Sequence, residues 1–345
     1  MNLLRKILYP ISVLYGAVTN VRNNLYDKEI LKSTKFDIPT IVVGNLSVGG
    51  TGKTPQIEYL VRLLQNEYKL AVLSRGYKRK SKGFIIADEI ATAEIIGDEP
   101  FQYYQKFKDV IVCVDADRVN GIEQLKQLEH SPEVILLDDA FQHRKVQGGF
   151  NILLTSYDNL YVDDSMLPTG NLREKVSGAE RAQVIIVTKC PSQLSENEQF
   201  KISQKLNTTV YQTVFFSTIE YDEQLKGFSK LTLSEMEGYE VLLITGIANP
   251  TPLVDFLRER NIKIKHLQYP DHHDFSNKEI NEIKDTFSTL ETNKKIILTT
   301  EKDYVRIFAA IKNIHYITIK TTFINHKNDF DNIIKKYVER SSRDS

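Results

Sequence analysis

Residues 47–54, Ser47-Val48-Gly49-Gly50-Thr51-Gly52-Lys53-Thr54, have the types and spacing of a phosphate-binding loop. Backbone N–H groups of such a loop, and of the helix behind it, converge on phosphate oxygens. The lysine then reaches the β- and γ-phosphates, and the threonine hydroxyl can hold Mg²⁺. Ser47 stands where the usual pattern has its first glycine, leaving Gly49 and Gly50 to supply the backbone freedom. Behind the apolar run 134–137 come Asp138 and Asp139, where a carboxylate at a strand end can bind Mg²⁺ directly or through water. Gln142, His143 and Arg144 follow. Between Gly97 and Pro100, Asp98 and Glu99 are two adjacent carboxylates able to divide metal binding and proton removal. Asp271-His272-His273-Asp274 sets two imidazoles between carboxylates, which would orient an imidazole and raise its pKa. A metal site is the rival reading of the histidine pair, although no cysteine is near in sequence. Asp115, Asp117 and Arg118, and the run Ser74-Arg75-Gly76-Tyr77-Lys78-Arg79, complete the polar groups placed behind apolar runs. A lone acid in such a place is about as often only a helix cap.

The surrounding pattern supplies elements to hold these groups. Residues 40–44 read as a buried strand ahead of the glycine loop. Ile57, Leu60, Val61 and Leu64 recur at helical spacing behind it, with Pro55 in the first turn, where a missing N–H does no harm. Residues 70–74, 110–114, 134–138, 152–154 and 184–188 are apolar without alternation, as strands buried on both faces should be. An α/β fold with a doubly wound, mainly parallel sheet follows, and ligands of such sheets gather at the carboxyl ends of the strands. Residues 209–221 alternate, which suggests a half-exposed hairpin or linker. A second strand and helix series from 241 to 319 reads as a smaller α/β domain. The expected division is 1–30 as an N-terminal amphipathic helix belonging to the first domain, 31–208 as that P-loop domain, 209–238 as linker strands, 239–338 as the smaller domain and 339–345 as a polar tail.

Forty-five basic and forty-five acidic residues cancel, which disfavours nucleic acid as main partner. Cys113 and Cys190 lie in or beside apolar runs and read as buried thiols. Leu4, Ile7, Leu8, Ile11, Leu14, Val18, Val21 and Leu25 follow helical spacing, with Arg5, Lys6 and Arg22 at the ends. Only fifteen uncharged residues separate Lys6 from Arg22, short of the roughly 20 that span a bilayer, and Pro10 interrupts them. No small-x-small cleavage site follows. The segment is either a helix packed on the core or an interfacial helix on a membrane, and the two can coexist. Thr188-Lys189-Cys190-Pro191 lacks the aspartate of a guanine-reading motif, and Thr300-Glu301-Lys302-Asp303 fails its spacing, so ATP is favoured by elimination.

Taken together, the chain resembles the tetraacyldisaccharide 4′-kinase family, the lipid A 4′-kinases of Gram-negative bacteria. The matching segments are 44–55, 74–79, 97–100, Asp117-Arg118, Leu137-Asp138-Asp139-Ala140-Phe141-Gln142-His143, Leu167-Pro168-Thr169-Gly170-Asn171-Leu172-Arg173-Glu174, Gly246-Ile247-Ala248-Asn249-Pro250, Asp271-His272-His273 and Thr299-Thr300-Glu301-Lys302-Asp303. Ser47 belongs to that family's own pattern. The resemblance implies a P-loop kinase domain joined by a β linker to a smaller domain. It also implies ATP-dependent phosphorylation of the 4′-hydroxyl of lipid A disaccharide 1-phosphate by a peripheral protein at the cytoplasmic face of the bacterial inner membrane. Carried over, Lys53 holds the terminal phosphates, Thr54 and Glu99 hold Mg²⁺, and Asp98 is the base, assisted by His272 or by its neighbour His273. Arg75, Tyr77, Arg118, Gln142, His143 and Arg173 form the rim that meets substrate and ATP. With base and histidine on different domains, turnover implies closure. The alternative is a membrane-associated P-loop ATPase that couples hydrolysis to assembly or positioning. It would share Lys53, Thr54 and Asp138 and would not need Asp98 with His272.

Overall fold

The apolar runs that lack alternation become the centre of a nine-stranded sheet, where both faces are covered. The computed structural model describes Arg5 and residues 7–271, 273–308 and 310–343. Its first unit, Met1–Ile219 with Thr321–Ser345, runs through α1 (Tyr9–Asp27), β1 (Thr40–Asn45), α2 (Lys53–Leu64), β2 (Leu70–Ser74) and β3 (Ile85–Ile86). It continues with α3 (Ala93–Ile96), α4 (Asp98–Lys106), β4 (Ile111–Val114), α5 (Arg118–Lys126) and β5 (Val134–Asp138). Then come β6 (Phe150–Ser156), β7 (Val184–Thr188), α6 (Glu196–Leu206) and β8 (Thr213–Tyr221). The second unit, Glu220–Lys320, contains β9 (Gln224–Gly227), β10 (Leu231–Thr232), β11 (Glu240–Thr245), α7 (Thr251–Glu259) and β12 (Lys263–Gln268). It closes with α8 (Asn277–Ser288), β13 (Lys295–Thr300), α9 (Glu301–Ile307) and β14 (Ile314–Ile317). β15 (Ile319–Phe323) and α10 (Lys327–Arg343) return the chain to the first unit.

The large sheet has the order β15-β8-β7-β6-β1-β5-β2-β4-β3, parallel from β8 to β4 with β3 antiparallel to β4. β1 lies between β5 and β6, with Val42 opposite Leu137 and Val43 opposite Ile152. The chain leaves β1 toward β2 on one side and later crosses from β5 to β6 on the other. The carboxyl ends of β1 and β5 therefore face the switch point where such sheets bind ligands. Side chains alternate across the sheet: Ile41, Val43 and Leu136 pack with Ile57 and Leu60 of α2, while Val42 and Leu137 pack with Ile122 and Leu125 of α5.

Two boundaries differ from the sequence reading. Of the alternating residues 209–221, Thr213–Tyr221 form β8, which pairs parallel with β7 in the large sheet, so that the first unit runs on to Ile219 and the strand itself carries the chain into the second unit. α10, assigned by pattern to the smaller domain and a polar tail, buries Phe330, Ile334 and Val338 in the core of the first unit. Its apolar stripe needed a partner surface, and the one it found is distant in sequence. The second unit has a six-stranded sheet, β10-β9-β14-β13-β11-β12, parallel in its centre and antiparallel at β9 and β10.

α1 buries its polar side. Ser12 Oγ donates to Thr169 Oγ1 at 2.7 Å and accepts the Thr169 N–H at 2.9 Å; Tyr15 donates to Arg173 O, and Asn23 to Glu174 Oε2 at 2.8 Å. Gly16, also buried, lies against Met166. Ile7, Ile11, Leu14, Val18 and Val21, at helical spacing, face outward at 54–72 % exposure. This is the reverse of an ordinary surface helix, which buries its apolar stripe. Among the described residues no helix is long and apolar enough to cross a membrane. Cys113 and Cys190 are buried free thiols.

Candidate active site

The phosphate loop leaves β1 at Asn45 and enters α2 at Lys53, with Gly52 (φ 85°) as its N-cap. Gly49 (φ 113°) and Gly52 carry the left-handed backbone. Gly50 is not among the left-handed residues, and neither is Ser47, which is buried and forms an isolated antiparallel bridge with Leu172. The backbone at position 47 thus has no need of glycine. Val48 N–H donates to Asn171 O at 2.8 Å and Arg173 N–H to Leu46 O at 2.7 Å, so residues 171–173 brace the loop's first half. Asn45 Nδ2 donates to Thr51 Oγ1 at 2.8 Å. Lys53 Nζ lies 3.4 Å from Asn45 Oδ1 and 3.6 Å from Asp139 Oδ1. The ammonium is thereby drawn over the loop.

Asp138 and Asp139 adjoin at the end of β5 but take different charge environments. Asp138 is buried and accepts from Ser74 Oγ at 3.3 Å. Burial, then the Asp139 and Glu99 carboxylates, push its pKa up to about 7, against Lys53 and Arg118. Asp139 adopts a left-handed backbone (φ 46°) and receives both terminal nitrogens of Arg173, at 2.8 and 3.2 Å. Lys53 and Arg173 hold its pKa below the usual range despite burial. Asp138 Oδ1 is buried without a hydrogen-bond partner. An orphaned hard oxygen near the Glu99 carboxylate suits Mg²⁺, which takes one or two carboxylates and completes its shell with phosphate and water oxygens. Among the described residues no group of three or more His, Cys, Asp or Glu side chains is assembled to hold a metal unaided.

Asp98 and Glu99 begin α4, where carboxylates favour the positive end of the helix. Gly97 (φ 95°) makes this possible: a Cβ there would stand 3.2 Å from Gly76 Cα and from Tyr77 O. The close approach puts residues 75–79 beside the start of α4. An open groove of about 360 Å³ is lined there by Arg75, Tyr77, Lys78, Arg79 and Lys82.

Arg118 departs from its expected place on the rim. It is 2 % exposed, donates to Asp115 O at 2.9 Å and to Asp138 O at 3.3 Å, and so buttresses the end of β5. Asp115 and Asp117 are helix-start acceptors, the plainer of the two readings. Gln142 donates to Asn45 O and Glu174 Oε1, tying the rim to the loop. His143 accepts the Arg118 N–H, and burial, then Arg118, lower its pKa to about 4. Its imidazole stays neutral in the folded chain while the unfolded chain takes up a proton near pH 6.5. Stability is therefore expected to fall as pH drops from 6.5 toward 4, and His143→Gln to flatten that stretch in urea unfolding measured across pH.

In the second unit, Asp271 Oδ1 accepts from Lys302 Nζ at 2.9 Å. His273 stacks on Tyr269, meets Phe275 edge-on and lies 2.9 Å from Glu279 Oε1. His272 lies outside the described residues.

A profile of the Tetraacyldisaccharide-1-P 4′-kinase family matches residues 4–339. The chain belongs to this family. It is 55 % identical to the tetraacyldisaccharide 4′-kinase of Flavobacterium johnsoniae over 344 residues, 99 % of each chain, and 44 % identical to that of Bacteroides thetaiotaomicron, covering 99 % of this chain and 95 % of the relative. The LpxK structure from Aquifex aeolicus, in complex with ATP, matches with a TM-score of 0.78 at 32 % identity, over 97 % of this chain and 100 % of that one.

The kinase contains further polar groups at this site that motif reading passes over. Asn45 and Glu174 lie in the matching segments 44–55 and 167–174 without a role of their own there, yet Glu174, nearly fully buried, gathers Asn23, Gln142 and Arg181. Thr188 Oγ1 donates to Thr51 O at 2.8 Å, and Lys189, with a left-handed backbone (φ 58°), brings Nζ to 3.8 Å from a Cβ built on Gly50. Their signal is the Thr-Lys pair ending β7, weighed above only for base specificity.

Proposed function

We propose that this kinase transfers the γ-phosphoryl group of ATP to the 4′-hydroxyl of lipid A disaccharide 1-phosphate, at the cytoplasmic face of the bacterial inner membrane. The observation that carries the proposal is one unit holding both a phosphate loop with its lysine poised over it and a helix turned apolar side out. The loop, residues 47–54, wraps the phosphates with backbone N–H groups. Lys53 neutralises charge on the terminal phosphates, and Arg173 keeps Asp139 oriented toward that lysine. Thr54, Glu99 and Asp138 would hold Mg²⁺, which when bound offsets charge on the β- and γ-phosphates. Asp98 accepts the proton of the attacking hydroxyl, and His272 assists it. His273 is already committed to Glu279 and Tyr269, which favours His272 for that work. Arg75 and Tyr77, with the basic groove beside them, suit an anionic sugar; Arg118 braces the end of β5, His143 accepts the Arg118 N–H and Gln142 ties the rim to the phosphate loop.

Phosphoryl transfer leaves the protein mainly positioning and charge neutralisation. The acceptor's acyl chains resist leaving a bilayer, at about 0.8 kcal/mol per CH₂, so the enzyme must meet them there. Incubating purified protein with ATP, Mg²⁺ and the disaccharide 1-phosphate in micelles should yield the bisphosphate by mass. ATP hydrolysis independent of lipid, with no bisphosphate, would instead indicate the membrane ATPase.

Because α1 packs through its polar side, substitution probes the membrane role better than deletion. Ile11→Ser, Leu14→Ser and Val18→Ser together should cut binding to anionic vesicles at least about 10²-fold, since each apolar side chain contributes about 1.5–3 kcal/mol on burial. Thermal stability should hardly change, as those side chains are already exposed. Flotation at wild-type levels would disprove the interfacial role.

A further inference from the structure

Glu58 has no part in the chemistry above, yet its carboxylate is only 1 % exposed and gathers a buried ion cluster. It lies on α2 one turn after Thr54, on the same helix face. Glu58 Oε2 accepts from Arg62 at 2.9 Å on its own helix and from Lys106 Nζ at 2.7 Å on α4. Its Oε1 accepts from Gln102 Nε2, also on α4, at 3.0 Å. Gln102, Tyr103 and Lys106 follow Glu99 at helical spacing, so all four share one face of α4.

Tyr103 is fully buried in the core that also holds Ile57, Leu60 and Val61 of α2. Its hydroxyl lies near Thr54, Glu99 and the Asp138 carboxylate and has no hydrogen bond of regular geometry. The facing sides of the two helices thus present Thr54 and Glu99 at their starts, and Glu58 with Gln102 and Lys106 a turn or two further on. α4 has only nine residues, and a helix below about 12 is marginal without tertiary contacts. Apolar residues of similar volume would hold it to α2 about as firmly as a buried ion pair does. Charge-assisted hydrogen bonds add direction, which limits how far one helix can slide or turn on the other.

We propose that Glu58, through Gln102 and Lys106, is a positioning residue for Mg²⁺, fixing Glu99 on α4 relative to Thr54 on α2, with Tyr103 as the spacer between the helices. The proposal rests on Thr54 and Glu99 holding the ion. Mg²⁺ demands near-ideal octahedral geometry at about 2.0–2.1 Å, whereas Ca²⁺ accepts flexible geometry at about 2.3–2.6 Å. Loosening α4 from α2 should therefore weaken Mg²⁺ and spare Ca²⁺.

The test uses the full-length protein with a non-hydrolysable ATP analogue, titrating Mg²⁺ or Ca²⁺ and following the ion-dependent rise in thermal midpoint. The midpoint without ligand reports folding separately. In Lys106→Met the fold should survive, because Arg62 still neutralises Glu58. Lys106→Met and Glu58→Gln should each weaken Mg²⁺ about 10- to 10²-fold, with Ca²⁺ and the analogue alone within a few-fold of wild type. If Glu58→Gln does not fold, Lys106→Met decides alone. Glu99→Gln should lose at least as much Mg²⁺ affinity, and adding Lys106→Met to it should lose nothing further. Three results would overturn the positioning role and leave Glu99 standing: wild-type Mg²⁺ affinity in Lys106→Met while Glu99→Gln is impaired, equal weakening of Mg²⁺ and Ca²⁺, or an undiminished further loss beside Glu99→Gln. Wild-type Mg²⁺ affinity in Glu99→Gln would instead refute Glu99 as a ligand, and the positioning role with it.

Discussion

Lys53→Ala is expected to lower kcat for phosphoryl transfer by about 10²–10³-fold, the usual cost of removing one preorganised charge partner from a transition state. The ammonium stands 3.4 Å from Asn45 Oδ1 and 3.6 Å from Asp139 Oδ1, so it is oriented before ATP arrives. That orientation costs nothing at the moment of reaction. Folding should tolerate the change, because Asp139 keeps the stronger bidentate contact with Arg173 at 2.8 and 3.2 Å. Steady-state kinetics with a thermal melt separates the two effects: rate falls, midpoint stays. Lys53→Arg should not restore activity, since a planar guanidinium does not replace a compact ammonium held between Asn45 and Asp139. Turnover within a few-fold of wild type in Lys53→Ala would mean that Arg173 or a metal ion carries the charge alone.

Asp98→Asn is expected to cost about 10²–10⁴ in kcat, the range for a lost general base. Asn retains the size of Asp and its acceptor oxygen at the start of α4, so the helix should persist. KM for ATP should be little changed, because the phosphate loop and Lys53 are untouched. Combining Asp98→Asn with His272→Ala should lose little beyond Asp98→Asn alone, as residues acting as a unit are not additive. Multiplying losses would show that the two act separately.

Much of the first unit was legible because its chemistry is local. A glycine loop between a buried strand and a helix, and a paired acid at a strand end, are defined within a dozen residues, and the parallel sheet announces itself by apolar runs without alternation. Ser47 shows the limit of motif reading. Its substitution for glycine is harmless because the left-handed backbone falls at Gly49 and Gly52 instead. Arg118 shows the opposite limit: a cation near the rim in sequence proved buried beneath it, holding the Asp115 and Asp138 carbonyls. α10 was misassigned because an amphipathic stripe states that a partner exists without naming it.

By itself the sequence determined the phosphate loop, the paired acids of β5, the carboxylates opening α4 and the family, since each depends on residue types at short fixed spacing. Tertiary structure decided which of those groups face one another. Asn45, Asp139 and Arg173 converge on Lys53 only because β1 and β5 are neighbours and residues 171–173 fold back along the loop. It also decided that α1 buries Ser12, Tyr15 and Asn23 and leaves its apolar stripe outside. Helical periodicity fixes that a stripe exists, but which side is covered depends on the hydrogen-bonding partners that the rest of the chain brings to it.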